Sequence, residues 1–365
     1  MHFLKLSVLF VLVSCSWSQA EFRKWAQKDD KGPDNELEKV GANEEELEKF
    51  KVEAAPVEPV VAPPAEQPIA APTSPSSKPK AAVRPAPTPA KKPVAPVKPA
   101  PVKEVPPIVA GFSYPKDMPE EVRKLDERAA KTWDAFKPSF TNNEAEFLDV
   151  DYLGMTVGKV SMRYVGGKIM NGEEVYHFQA RFKSAPFYSA IYELNDTIDT
   201  YVDKKTFTGR RYNLVQRESK QSVDEVQLYD QDKLRTTSYQ KRERDGKTKK
   251  KQWDGWMPRY NIDSFSAIYL IRGLPLNVGE SYAFTIVNKA KLLTMELKVE
   301  LKEKITIKGK EKAAIKVHAF TKYTGSTLKS GDMTFWLSDT PSRDLLRCRA
   351  EIKIGSVYAE LSDKE

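Results

Sequence analysis

Two carboxylates stand two residues apart in Phe147-Leu148-Asp149-Val150-Asp151-Tyr152, an alternation that puts Asp149 and Asp151 on one face of a strand. Like charges so placed can raise one pKa and suit acid–base work. The competing reading is a polar outer face opposite Leu148, Val150 and Tyr152. Of the three histidines, His2 opens the chain, while His177 and His318 each stand alone in alternating segments, where an imidazole is structural or surface-exposed. The cysteines are two, Cys15 and Cys348. That rules out a disulfide framework and a Cys-ligated zinc site, and Cys348 reads as a small buried hydrophobe. No Gly-x-Ser-x-Gly elbow, His-Glu-x-x-His, Walker loop or Gly-x-Gly-x-x-Gly occurs. No cofactor and no metal are implied, and the sequence leans away from an enzyme.

Charge is more informative. Residues 143–365 carry +7, and the window 233–251 holds nine bases (Lys233, Arg235, Lys241, Arg242, Arg244, Lys247, Lys249, Lys250, Lys251) against two acids. The excess of the domain therefore equals that of one hairpin around Asp245-Gly246, with Trp253 and Trp256 just after it. Bases near an anionic surface are worth about 1 kcal/mol each, and Trp favours the headgroup level. The candidate binding residues are Lys247, Lys249, Lys250, Lys251, Trp253 and Trp256. The alternative is a solvated hairpin with both Trp packed on the body of the domain.

These residues need a scaffold and an address. Residues 1–20 read as a secretory signal peptide: Lys5, an apolar run from Leu6 to Val13, then small and polar residues. The run is too short to span a bilayer, and no later segment reaches span length. Ser18-Gln19-Ala20 fits cleavage before Glu21. Leu12-Val13-Ser14-Cys15 resembles a bacterial lipobox, which would lipidate Cys15 and permit outer-membrane anchoring. Either route exports the chain to the periplasm and makes nucleic acid a poor partner.

Residues 21–55 are charged (−4) and expected to be disordered; the short helix in Asn43–Phe50 buries too little to be stable by itself. Residues 56–107 hold 17 of the 25 prolines, a Pro/Ala/Lys-rich linker that excludes helix and sheet. Residues 108–142 add linker and an amphipathic helix capped near Asp117-Met118-Pro119-Glu120, with Val122, Leu125, Ala129, Trp133 and Phe136 on its apolar side and Pro138 as its stop.

From residue 143 to 365 the period becomes two, as in Tyr176-Phe178-Ala180-Phe182, Leu293-Met295-Leu297-Val299-Leu301 and Ala313-Ile315-Val317. Turns are expected at Gly166-Gly167, Asn171-Gly172, Asp245-Gly246, Gly309-Lys310 and Ser330-Gly331-Asp332. The expected fold is mainly β, with about eleven to thirteen strands in a large curled antiparallel sheet or incomplete β-barrel. One or two helices accompany it, including Asp263–Arg272 near the mouth.

Three segments carry a likeness. Asp263 to Leu276 (DSFSAIYLIRGLPL) followed by Val278-Gly279-Glu280, then Phe335-Trp336-Leu337-Ser338-Asp339, then Gly355 to Leu361 (GSVYAEL), resemble the bacterial domain-of-unknown-function family 3108 over about 144–365. The resemblance implies an envelope β-rich domain behind a signal peptide and supplies no catalytic residues. Thr340-Pro341 departs from the pattern by replacing a second acid after Asp339.

Three functions follow as expectations. The first is a β-cup binding a lipid or another apolar or anionic envelope component. The second is a structural or interaction protein of the envelope tethered by the Pro-rich arm. The third is an enzyme acting on cell wall or glycan. The partners considered are lipid, lipopolysaccharide and peptidoglycan; the sequence does not specify the oligomeric state.

Overall fold

A computed structural model describes residues 34–55, 113–190, 192–324, 329–352 and 355–364. Signal peptide, Cys15 and the Pro-rich tract 56–107 lie outside the described residues. The fold is mainly β, a single sheet that curls without closing. One meander runs through β2 (Ala145–Tyr152), β3 (Met155–Met170), β4 (Glu173–Ser184), β5 (Asn195–Asp203), β6 (Gly209–Glu218), β7 (Gln221–Asp230), β8 (Arg235–Arg244) and β9 (Lys247–Trp256). A second runs through β11 (Ser281–Asn288), β12 (Lys291–Ile307), β13 (Lys310–Tyr323), β14 (Lys329–Ser338), β15 (Leu345–Glu351) and β16 (Ser356–Lys364). The antiparallel pairing of β16 with β2 joins the two. The ends of the sheet are β9 and the short β10 (Asn261–Ile262), which pairs parallel with β11.

Tight turns form where Asn171-Gly172 (φ 49° and 75°) and Asp245-Gly246 (52° and 69°) supply left-handed backbone, as two-residue hairpins require. Two expected turns are strand instead. Gly166 takes φ 126° at a bulge between Tyr164 and Gly166, letting β3 continue through it. Ser330-Gly331-Asp332 lies inside β14. Fifteen strands lie between Ala145 and Lys364 among the described residues, more than the eleven to thirteen expected.

A second bulge changes a face. Leu293, Met295, Leu297 and Val299 point into the core at 3% exposure or less, as their alternation predicts. Between Val299 and Leu301 the register shifts, and Leu301 turns out to solvent. Beyond it Ile305 and Ile307 pack with Trp336 and Leu346 in a separate cluster.

Five helices accompany the sheet among the described residues, more than the one or two expected. The longest, Glu120–Ala135, is α3 in chain order. Asp117 does not cap it; Pro119 takes the cap position without a side-chain bond. It covers the open end of the sheet. Thr132 Oγ1 donates to Ala283 O (2.8 Å) and accepts from Ala283 N (3.2 Å), standing in for a strand beside β11. Trp133 Nε1 donates to Thr206 O (3.0 Å), and Asp126 accepts from Tyr260 N (2.8 Å) and Arg259 N (3.1 Å).

The helix Ser266–Arg272, α5 after the one-turn α4 (Pro186–Ser189), is not at a mouth. Tyr269, Leu270 and Ile271 are at most 1% exposed within the main core. Tyr269 stacks on Phe178 at 3.9 Å between ring centres. Asp263 caps the helix as expected, its Oδ1 accepting from Phe265 N (2.8 Å) and Ser266 N (2.9 Å). The helix packs its side chains into the main core beneath the sheet.

The segment expected to be disordered is ordered over residues 34–55. It forms α1 (Asp34–Val40), α2 (Glu44–Lys49) and β1 (Val52–Ala54), which pairs with the end of β3 beyond the reach of β2. Leu37, Val40, Phe50 and Val52 are buried with Met170, Val175, Tyr201, Val226, Leu228 and Tyr239 on the outer face of the sheet. Arg211 Nη1 donates to Phe50 O (2.8 Å), and Lys49 pairs with Asp230 (2.8 Å). A two-turn helix too short to survive alone is held by this tertiary surface. Residues 34–55 therefore pack on the same body as the strands of the barrel.

Four buried apolar side chains at roughly 1.5–3 kcal/mol each make the clasp self-sufficient. Trypsin cutting after Lys80 and Lys103, the lysines of the tract followed by Ala81 and Glu104, should leave the N-terminal peptide bound to the barrel on gel filtration. Its release in native buffer would show that only the covalent chain holds it.

Candidate functional site

The β8–β9 hairpin pairs Lys241 with Lys250, Arg242 with Lys249, and Arg244 with Lys247 directly across the strands. Directly opposed like charges are destabilising. Lys241 is relieved by Glu243 (3.0 Å) and Arg244 by Asp245 (3.3 Å). Lys247, Lys249, Lys250 and Lys251 have no ion-pair partner among the described residues, and all are exposed.

Alternation divides the predicted patch between two faces. Lys247, Lys249 and Lys251 share a face with Trp253, whose ring has Lys251 Nζ at 6.0 Å and Lys289 Nζ at 5.9 Å. Lys250 lies on the other face, beside the end of α1: a Cβ added to Gly41 would sit 3.6 Å from its Nζ. Trp256 also departs from the group. It packs against the cluster of Met118, Val122 and Leu234 under α3, with Arg235 over its ring at 4.6 Å. The structure thus brings three lysines and Trp253 together and assigns Trp256 to the base of the hairpin.

The other chemical candidates are hydrogen-bonded, ion-paired or buried. Asp149 accepts from Lys159 and Lys308, each at 2.5 Å; burial alone would raise its pKa, but the two ammonium groups hold it below the usual range. Asp151 accepts from Thr156 Oγ1 (2.6 Å). His177 is buried on the outer face and bonded to Asp199 (2.7 Å), and His318 to Asp332 (2.7 Å). Cys348 lies against the core, where burial pushes its thiol up to about 12, far from the reactive thiolate. Among the described residues no group of acids, His or Cys could hold a metal ion.

Sequence reading missed a buried ionic knot. Arg272, at the C-terminus of α5, meets Glu144 (2.7 Å) and Glu146 (3.6 Å) and donates to Ser342 O (3.0 Å). Just past it, Arg343 Nη2 donates to Pro275 O (3.3 Å) and its Nη1 contacts Asp339 (3.3 Å). Asp339, also paired with Lys302 (2.9 Å), is a structural acid. The first two segments of the family likeness therefore meet to fasten the core helix to the β14–β15 turn. Arg272 was visible in the sequence, but its acid partners lie more than 120 residues upstream, with no local spacing to reveal them.

An open, curled antiparallel sheet wound around a core helix and closed at one end by a second defines a β-barrel-like domain. The chain belongs to the family described as protein of unknown function DUF3108, whose model spans residues 148–362. Among solved structures it is similar to a β-barrel-like protein of domain of unknown function DUF1849 from Brucella abortus (11% identity, 61% of this chain and 97% of that one, TM-score 0.40). It is also similar to a candidate lipoprotein from Parabacteroides distasonis (12% identity, 63% and 99%, TM-score 0.29). A candidate exported protein with a YmcC-like fold from Bacteroides fragilis matches at 11% identity (63% and 99%, TM-score 0.30). No curated protein matches the chain. No helix among the described residues is long and apolar enough to cross a membrane.

Proposed function

We propose that this is an exported cell-envelope protein whose β8–β9 hairpin binds an anionic envelope component, such as the phosphates of phospholipid or lipopolysaccharide. The observation that carries this reading is the set of three directly opposed cation pairs, with four lysines that have no acid partner among the described residues. A fold gains nothing from that arrangement, whereas an anionic surface neutralises it. The signal-peptide pattern of residues 1–20 supports an envelope setting.

Changing Lys247, Lys249, Lys250 and Lys251 to Glu should abolish sedimentation with anionic vesicles. Wild-type binding should weaken with salt as the screening length falls below about 10 Å. Opposed charges become attractive in the variant, so its thermal midpoint should not fall. Equal sedimentation of both proteins, or indifference to vesicle charge, would refute the reading.

A second reading rests on β9 being a sheet end. Lysines on an edge strand prevent edge-to-edge pairing. Glutamates protect an edge equally well, so a monomeric Glu variant that has lost vesicle binding favours the first reading. Self-association of a Lys-to-Thr variant, with wild type indifferent to vesicles, favours the second.

A further inference from the structure

The turns after β2, β4, β6 and β8 fall at one end of the meander, and contacts make them a continuous rim. Ala185 N donates to Val157 O (3.0 Å), tying the α4 loop to the start of β3. Glu193 N donates to Ser219 Oγ (2.7 Å) and Ser219 N to Glu193 O (3.1 Å), tying that loop to the β6–β7 turn. Ser222 pairs with Glu243, which brings in the tip of the basic hairpin.

Five large apolar side chains are exposed among the described residues, and three of them, Leu153 (61%), Phe187 (41%) and Tyr358 (36%), lie at this rim. Leu153 is the most telling. It occupies the first turn position between β2 and β3 with φ 50°, a conformation suited to Asn, Asp or Gly. Three other bulky apolar residues with positive φ, Phe207, Leu234 and Leu276, are buried to 3% or less, so packing offsets their strain. Leu153 combines a positive φ with 61% exposure, so burial offsets little of its strain. Phe187 follows Pro186 at the start of α4, held out to solvent while its neighbour Tyr188 is buried at 1%.

We propose that this rim docks on an anionic phospholipid bilayer, with Leu153 and Phe187 entering the headgroup region while the hairpin lysines meet lipid phosphates. The inference rests on the anionic-surface reading above and adds the bilayer as the partner. The charge of the hairpin selects an anionic interface over a protein groove. Two apolar tips separated along a rim suit a fluid surface that needs no complementary pockets. Interfacial binding scales with inserted apolar area plus electrostatic attraction.

The test uses the chain from Glu21 onward, free of the leader and of Cys15. Leu153→Asp with Phe187→Asp should weaken partition into phosphatidylglycerol-containing vesicles about tenfold or more, while retention on a soluble-polyanion matrix such as heparin is unchanged. A separate Phe187→Trp variant should gain fluorescence that is quenched by lipids brominated on their acyl chains. Vesicle binding that is unchanged in the double Asp variant, with no bromine quenching of the indole introduced by Phe187→Trp, overturns insertion and leaves the anionic-surface reading standing. Loss of heparin retention along with vesicle binding would mean the double variant has misfolded, and the quenching result then decides alone. Wild type that binds neither anionic vesicles nor heparin overturns both readings.

Discussion

Replacing Arg272 with Ala should destabilise the domain by about 3–5 kcal/mol, measured as the shift in urea denaturation at neutral pH. The guanidinium is 1% exposed, and Glu144 and Glu146 beside it are 4% and 1% exposed. Burial alone would lower its proton affinity, but Glu146 and Glu144 more than reverse that, and the group stays charged. Removing it takes away the cation that Glu144 and Glu146 face in the interior and leaves Ser342 O without its donor. The position also complements the negative end of the α5 helix dipole. A triple change, Arg272→Met with Glu144→Gln and Glu146→Leu, should recover a large part of the loss, because the desolvation of the charges disappears with them. A loss below 1 kcal/mol for Arg272→Ala would mean that water reaches the knot and that α5 is held by apolar packing alone.

The family likeness centres on this helix, which explains why so much of the fold was legible and so little of its function. Period-two runs such as Tyr176 to Phe182 read correctly, because alternation is a local property of strands. Asp263 read correctly as a cap for the same reason. What failed was non-local. Leu301 continues an apolar alternation in sequence, but the bulge at Glu300 turns it to solvent, and nothing in the residue types around it announces the bulge. Gly166-Gly167 looks like a turn and is a bulge in a sixteen-residue strand. The segment at 34–55 looked too short and too charged to fold. Its stability comes from Val226, Leu228 and Tyr239, which lie far along the chain. At the candidate site the count of bases was legible, whereas their division between two faces needed the register of β8 with β9. Leu153 and Phe187 passed unnoticed because exposure of an apolar residue cannot be read from its neighbours in sequence.

Acidity should reveal a second buried charge. Asp196 is 2% exposed, and burial, then the neighbouring Glu218 carboxylate, push its pKa up to about 7 against the bonds from Arg217 N (3.0 Å) and Gln216 Nε2 (3.2 Å). Arg217 also acts to lower it, while Tyr192 bonds Glu218 (2.5 Å) with Arg244 in electrostatic range. An unfolded aspartate titrates near 3.9. Between these values the folded state holds a proton that the unfolded state has released, so stability falls as pH rises through that window, by at most about 1.36 kcal/mol per pH unit. Below about pH 4 the loss is absent, and above about pH 7 it is complete. Asn at this position keeps the acceptor for Arg217 N and does not ionise. Asp196→Asn should therefore match wild type near pH 4 and exceed it by about 2–4 kcal/mol at pH 8 in urea denaturation. A stability gap that is the same at both pH values would mean that Asp196 stays ionised throughout and that the effect of the substitution is steric.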